Sequence, residues 1–556
     1  MNVKIPPLLT AALIVLCGLW GLGDWGLLDP DEGRYSEIPR EMMATGDYVT
    51  PRLNYVKYFE KPVLHYWFTA ACFAAFGQNE FASRLTPALC GLGGVFVAFV
   101  LARRIYGLRE AVRASVILST CLLWFAIARL NILDMTVSFF ITVSLAGFWL
   151  GLTERRYLLL FYAGMALATL TKGLIGVVLP VGIVFWYVVL TRRWRLFLHA
   201  LYPPGAALFL VLSVPWFWAV CSANPDFFYF FFVQEHFLRY ATQMHGRYQP
   251  FWFFVPILAG GLIPWAGLLP DMLRGTLPRH DDAERSGLFL GLWFAVPFLF
   301  FSLSSSKLIP YIVPCLPPLA ILGGRALTSI ADGDVGAAKR FGRLNGALLL
   351  LLAAAGVIYP PLQEKIPASA LYPYTLPASI SLAALALCGW KPRLRHMNIP
   401  LTTRDPRANP SPQKMVMALC LLAFVNALVF ARGFTLEAGL ISYKEPAAAI
   451  QERLQPGDVV AGYGDIMQGL GFYLKRRIVL VNAVGELEFG ARQEKDPRRW
   501  FIGREELKAL WDGKERVFLA SDGRKMEELE RLLGKSTIIW RDQTRNDVVL
   551  SNRGLE

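Results

Sequence analysis

Charged residues are scarce in this chain: they make up 18% of its 556 residues, against 55% hydrophobic. A water-soluble fold of that length could not cover so much apolar side chain, so lipid must cover part of it. Cysteine offers no framework. The eight cysteines (Cys17, Cys72, Cys90, Cys121, Cys221, Cys315, Cys388, Cys420) are scattered, form no CxxC pair and stop short of residue 433. This excludes a disulfide-stapled C-terminal part and leaves them as small hydrophobes. Residues 433–556 also lack a Gly-rich phosphate loop, a catalytic-triad spacing and a metal motif. No internal repeat is visible, which counts against a secondary transporter assembled from duplicated halves.

The formal charge is +14, a value that in a soluble domain would suggest a nucleic-acid partner. Its location argues against one. Residues 433–556 hold 20 of the 56 basic and 20 of the 42 acidic residues, leaving 36 against 22 in the rest. The excess sits in short clusters between apolar runs, the pattern of the positive-inside rule.

The chain is rich in long apolar runs. They measure roughly 17 to 22 residues, which at about 1.5 Å per residue match a hydrocarbon core about 30 Å thick. Thirteen spans are expected, near residues 6–23, 84–102, 112–128, 135–153, 157–171, 173–190, 198–220, 252–270, 287–303, 309–327, 343–359, 373–390 and 414–432. Met1 to Asp24 resembles a secretory signal, but no small-x-small cleavage site follows, so it is read as an uncleaved first span. Basic clusters fall at Arg103, Arg104, Arg109 and Arg113; Arg155 and Arg156; Arg192, Arg193 and Arg195; Arg274 and Arg279; Arg325, Lys339, Arg340 and Arg343; and Lys391, Arg393 and Arg395. All of them lie on one side of a thirteen-span arrangement. With the first helix entering from the cytoplasm that side is cytoplasmic, and an odd number of spans carries the C-terminal residues outside.

Two outer loops are long, 24–83 and 221–251, and function is sought there. In the first, Lys61 to Phe76 is apolar but short and carries His65, the signature of a helix lying in or re-entering the interface. Beyond Gly433, β-rich runs (Asp458 to Tyr463, Arg477 to Val481, Arg516 to Ala520, Thr537 to Trp540, Val548 to Leu550) alternate with amphipathic stretches (Arg504 to Trp511, Lys525 to Leu533). The fold class expected is a polytopic α-helical membrane protein of about 13 transmembrane helices over residues 1–432, then a small soluble α/β domain over 433–556.

The sharpest cluster of ionisable groups is Leu28-Asp29-Pro30-Asp31-Glu32-Gly33-Arg34-Tyr35, with three carboxylates in four positions. Like charges that close resist joint ionisation, so one of them is expected to hold or share a proton near neutral pH, as a general base would. A plainer function is available for two of them: Asp29 as N-cap, Pro30 at the first helical position and Glu32 at the third form a capping box, which leaves Asp31 without a duty. In Tyr58-Phe59-Glu60-Lys61-Pro62-Val63-Leu64-His65, Lys61 is either one half of a surface ion pair or a cation placed to meet a lipid phosphate. The second loop carries His236 and Arg239, three apart, and His245-Gly246-Arg247-Tyr248. Arg129 to Asp134, Thr171-Lys172-Gly173 and Ser304 to Tyr311 lie at the same outer ends of spans, where Asp134 could cap a helix and Lys307 could snorkel. Acids, lysines and arginines thus gather on one membrane face, which suits a lipid-phosphate substrate.

The motifs DPDEGRYSEIPREM, YFEKPVLHYW, ARLNILDM, LTKG, EHFLRY and SKLIPYIVPCLPPLAIL, in that order over about the first 330 residues, resemble the aminoarabinose lipid A transferases, within the protein O-mannosyltransferase-like glycosyltransferases of the GT-C class. The resemblance implies Asp31 as catalytic carboxylate with Asp134 a second acid. Arg34, Tyr35, Lys61, an arginine of the second loop (Arg239 or Arg247) and Tyr311 would bind substrate. Glu60 with His236 or His245 would hold a divalent metal ion. It also implies transfer of a sugar, 4-amino-4-deoxy-L-arabinose in the relatives, from undecaprenyl phosphate to lipid A with inversion. The site and C-terminal domain would then face the periplasm of a bacterial inner membrane, and the modification would bear on polymyxin resistance. Alternatives are a GT-C transferase with another polyprenyl-linked sugar and a protein or glycan acceptor, or a secondary transporter.

Overall fold

A computed structural model describes residues 6–238, 249–277, 285–362, 368–394, 412–542 and 547–554, with the side chains of 235–238 and 389–394 excepted. Inside a bilayer every backbone polar group must be satisfied within its own segment, so the apolar runs fold as helices. Every span expected from the sequence falls on helix. Among the described residues eight helices are long and apolar enough to cross: Glu80–Ile105, Leu133–Gly151, Pro203–Ala223, Ser286–Leu303, Ile309–Ala331, Val335–Leu362, Ala368–Cys388 and Pro412–Ile441. A bent pair of helices would make a ninth, and the other spans of the expected thirteen fall on shorter or broken helices. Pro7–Leu19 and Ile175–Thr191 are apolar but shorter, and Leu158–Lys172 has 15 residues. The run 112–128 breaks at Cys121 into Leu108–Thr120 and Leu122–Ile127, while Phe254–Gly261 and Ala266–Arg274 form one pair bent by 113°.

The chain divides into two units, one of residues 1–21, 87–218 and 228–433, the other of 22–86, 219–227 and 434–556. In the first unit helices pack through small residues, as helices in lipid must when no hydrophobic force drives them together. At Gly164 a side chain would fall 2.6 Å from the carbonyl oxygen of Phe140 and from the amide nitrogen of Ser144. Leu158–Lys172 thereby lies close against Leu133–Gly151, and Ser144 donates to the Phe161 carbonyl at 2.9 Å.

The second unit combines the first outer loop with the C-terminal residues, a partnership that a boundary at residue 433 does not anticipate. Its N-terminal part holds the helix Asp31–Thr45, a hairpin of β1 (Arg52–Leu53) and β2 (Val56–Lys57), and the helix Leu64–Phe76, which buries Leu64, His65, Tyr66, Thr69, Ala70 and Phe73 on one face. Its C-terminal part is a six-stranded sheet of β3 (Val459–Tyr463), β4 (Val479–Val481), β5 (Phe501–Ile502), β6 (Val517–Asp522), β7 (Thr537–Arg541) and β8 (Asp547–Ser551), ordered β5-β4-β3-β6-β8-β7. The first four strands in that order run parallel, and β8 and β7 add antiparallel pairs. Five strands and the helices Arg504–Trp511 and Met526–Leu533 lie where the alternation of the sequence puts them; β5, two residues long, has too little pattern to be read.

Candidate active site

Asp31 opens the helix Asp31–Thr45 with its side chain 60% exposed, and its carboxylate lies 3.6 Å from the Arg34 guanidinium one turn on. Pro30 is the residue before the helix and no side chain caps it, so the expected capping box is absent. Its parts serve elsewhere. Glu32 accepts from the Leu28 amide at 3.0 Å and from Arg84 at 2.9 and 2.7 Å, a pair almost wholly out of water. Arg84 is completed by the carbonyls of Leu22, Trp25 and Gly26. Asp29 accepts from the Gly469 amide at 2.8 Å. The three carboxylates therefore go to three sets of partners, and of the three Asp31 is the one turned to solvent.

Arg34 is buried, and its second nitrogen pairs with Glu486 at 3.1 Å. Glu486 accepts in turn from the Tyr58 hydroxyl at 3.2 Å and the Gln468 amide at 2.7 Å. Burial works against the charge on Arg34, but Tyr58, Glu486, Tyr35 and Asp31 together hold its guanidinium firmly protonated. Burial pushes the Glu486 carboxyl above its ordinary range, Arg34 draws it down and Glu60 pushes it up again. Glu60 and Lys61 belong to this group: their side chains lie 3.9 Å apart, 15% and 16% exposed, and the Lys61 ammonium also donates to the Glu60 carbonyl at 2.8 Å. An ion pair so little exposed is not the solvated surface pair of the plain reading. Tyr35 stacks on Tyr66 at 6.2 Å and meets the edge of His65 at the same distance.

In the other unit Asp134 pairs with Lys172 at 2.5 Å, both side chains about one-sixth exposed, and the Lys172 ammonium stands 4.7 Å over the Tyr311 ring. No side chain caps Leu133–Gly151, so Asp134 acts as an ion-pair partner and not as a cap. Asp134, Lys172 and Tyr311 line one small cleft with Ser138, Phe301 and Pro314. Lys307 does not snorkel: its ammonium is held by the carbonyls of Gln249, at 2.8 Å, and Ser304.

The structure thus joins Asp31, Arg34, Tyr35, Glu60 and Lys61 in one group, and Asp134 and Tyr311 in a second. Arg239, His245 and Arg247, with the side chain of His236, lie outside the described residues. Among the described residues no three His, Cys, Asp or Glu side chains gather as a metal-holding group, so Glu60 by itself makes no metal site. Glu486 was missed, and nothing local marks it, since its partner Tyr58 lies 428 residues away in sequence.

Apolar helices able to cross a membrane, an ionisable cluster built on the loop 24–83 and an appended α/β domain make up a fold shared with membrane glycosyltransferases of the GT-C type. Residues 60–218 match the family of dolichyl-phosphate-mannose-protein mannosyltransferases, and residues 446–552 the aminoarabinose transferase C-terminal domain. The undecaprenyl phosphate-α-4-amino-4-deoxy-L-arabinose arabinosyl transferase 2 of Pseudomonas fluorescens is 34% identical over 87% of this chain and 86% of its own, and the undecaprenyl phosphate-α-4-amino-4-deoxy-L-arabinose arabinosyl transferase of an Enterobacter species is 31% identical over 87% of each. The crystal structure of ArnT from Cupriavidus metallidurans bound to undecaprenyl phosphate matches with a TM-score of 0.83 at 31% identity over 98% of both chains. An Archaeoglobus fulgidus oligosaccharyltransferase shares the fold alone, with a TM-score of 0.53 at 11% identity over 95% of this chain and 70% of that one. The chain belongs to the undecaprenyl phosphate-aminoarabinose arabinosyl transferase family.

Proposed function

We propose that this enzyme moves 4-amino-4-deoxy-L-arabinose from undecaprenyl phosphate to a phosphate of lipid A, on the periplasmic face of a bacterial inner membrane. The donor reading rests on the names of the relatives and on the full-length likeness to an ArnT that binds undecaprenyl phosphate. Sidedness is supported by the basic clusters between spans, all on the face opposite Asp31 in the sequence's topology.

In the reaction an acceptor phosphate oxygen attacks the anomeric carbon while the bond from that carbon to the donor phosphate oxygen breaks. The electron pair leaves with undecaprenyl phosphate, and the configuration inverts. The barrier lies in the charge growing on the departing phosphate. Arg34, held protonated by its neighbours, and Lys61 supply fixed positive charge for it. The acceptor phosphate is already ionised near neutral pH, so Asp31 has no strong proton to remove and serves to orient the reacting groups and balance charge. A divalent ion on Glu60 with His236 or His245 forms part of the same proposal; bound there, it would neutralise phosphate charge. A second reading, with a hydroxyl acceptor, would make Asp31 the general base.

The test is to incubate the purified protein with aminoarabinose-linked undecaprenyl phosphate and lipid A and to follow lipid A by mass spectrometry. Addition of one aminoarabinose is expected. Unmodified lipid A with folded protein and intact donor would overturn the acceptor or sugar assigned here. Chelation followed by metal add-back separates a bound ion from none.

A further inference from the structure

Open α/β sheets bind ligands outside the carboxyl ends of their strands, where the winding reverses. In the C-terminal sheet the winding reverses between β3 and β6, since the chain leaves β3 for β4 on one side and later adds β6 on the other. The segment leaving the carboxyl end of β3 runs into the helix Gln468–Leu474. What lies against that helix is the chain's own Asp31–Thr45 helix. The Gly469 amide donates to Asp29 Oδ1 at 2.8 Å, and the neighbouring Gln468 amide holds Glu486, which holds Arg34.

The approach leaves no room for side chains. A Cβ on Gly33 would lie 2.5 Å from the Gly469 nitrogen, a Cβ on Gly469 would run into the Asp29 carboxylate, and one on Gly471 would lie 3.1 Å from Glu37 Oε1. Asp31 therefore stands between two tethers that start from adjacent residues of the C-terminal domain, Gly469 reaching Asp29 on one flank and Gln468 reaching Arg34 through Glu486 on the other. Asp31 itself is exposed, and among the described residues its ion-pair contact is the 3.6 Å one with Arg34, so its position depends on the backbone on either side.

We infer that Asp29 is a positioning residue which, by accepting from the Gly469 amide, fixes the start of the helix carrying Asp31 and so ties the active site to the C-terminal α/β domain. The inference rests on the reaction proposed above. The domain then holds the donor-side residues in register, and the acids of the DPDE motif divide the work: Asp29 places, Asp31 acts and Glu32 anchors Arg84.

The experiment compares Asp29→Ala, Asp29→Asn, Gly469→Ala and the Asp29→Ala/Gly469→Ala double variant in liposomes, with kcat and KM for the polyprenyl donor, the thermal midpoint, and hydrogen exchange at the Gly469 amide. Asp29→Ala and Gly469→Ala are expected to lose about tenfold or more in kcat with KM for the donor within about threefold, the pattern of a misplaced catalytic group. Asn, whose amide oxygen still accepts from Gly469, is expected to restore most of the rate, and the double variant to be no slower than the slower single one, since both changes remove one contact. Exchange at Gly469 is expected to be slow in the wild type and fast in Asp29→Ala. An unchanged kcat in Asp29→Ala, equal loss in Asn and Ala, or unchanged exchange at Gly469 would overturn the inference. Should the wild type transfer no sugar while Asp29→Ala still releases the Gly469 amide, the reaction assigned falls and the tether stands.

Discussion

Asp31 and Arg84 show how differently two charged residues of one segment are used. Asp31 is solvent-facing beside a firmly protonated Arg34, so its carboxylate is available to a reacting group. Asp31→Asn is expected to lower kcat by about a hundredfold or more, the range for removing a positioned acid or base, while the thermal midpoint stays put; unchanged turnover would remove Asp31 from the mechanism. Arg84 is fully buried and commits its donors to Glu32 and three carbonyls. Arg84→Met takes the guanidinium away from the buried Glu32, which costs about 3–5 kcal/mol for a buried pair broken on one side. A thermal midpoint within a degree of wild type would contradict that. Asp31, Arg34, Glu60 and Lys61 were legible in the sequence because each motif is local and its charges adjacent. Glu486 was not, because its meeting with Tyr58 and Arg34 is made by the fold alone.

At the level of elements, the helix Asp31–Thr45 is held by polar contacts more than by an apolar face, with Glu32, Ser36, Glu37, Arg40 and Glu41 all buried. Arg40 donates to both oxygens of Glu37 at 2.5 and 2.6 Å, and Glu41 accepts from the Tyr55 amide at 2.9 Å. Burial pushes the carboxyls of Glu37 and Glu41 above their ordinary range, and Glu37 raises Glu41 further. A carboxyl raised in the folded state keeps a proton that the unfolded chain has already lost. Stability is then full below the ordinary carboxylate range and falls as pH rises from there through the raised folded value. Glu41→Gln supplies the same donor and acceptor without the proton, so thermal midpoints measured across that range should fall less steeply with pH than in the wild type; parallel curves would contradict the assignment. The same helix shows why the sequence misled on capping. The S/T/D-x-x-E spacing was present at Asp29 to Glu32, but tertiary partners, Gly469 for Asp29 and Arg84 for Glu32, prevail over the local box. Five strands and two helices of the C-terminal sheet were legible because period-2 and period-3.6 patterns are carried within each element, whereas their joining with residues 22–86 is not.

For the whole molecule, hydropathy located every apolar run but not how many are whole spans, because breaks such as Cys121 and the 113° bend between Phe254–Gly261 and Ala266–Arg274 leave composition unchanged. Sidedness can be read directly. In a variant with the eight native cysteines replaced by serine, a cysteine placed at the exposed Lys514 should react with an impermeant maleimide in cells with a permeabilised outer membrane, and one at Arg195 should not. Labelling at Arg195 with protection at Lys514 would reverse the orientation. The central claim is sugar transfer from undecaprenyl phosphate at a site built on Asp31, and its most direct measurement is single-turnover release of undecaprenyl phosphate from the aminoarabinose-linked donor, with lipid A in the same liposomes, by wild type and Asp31→Asn side by side. Release by the wild type, matched mole for mole by sugar on lipid A and nearly abolished in Asp31→Asn, is the result predicted; equal release by both proteins, or none by a folded wild type, would contradict it.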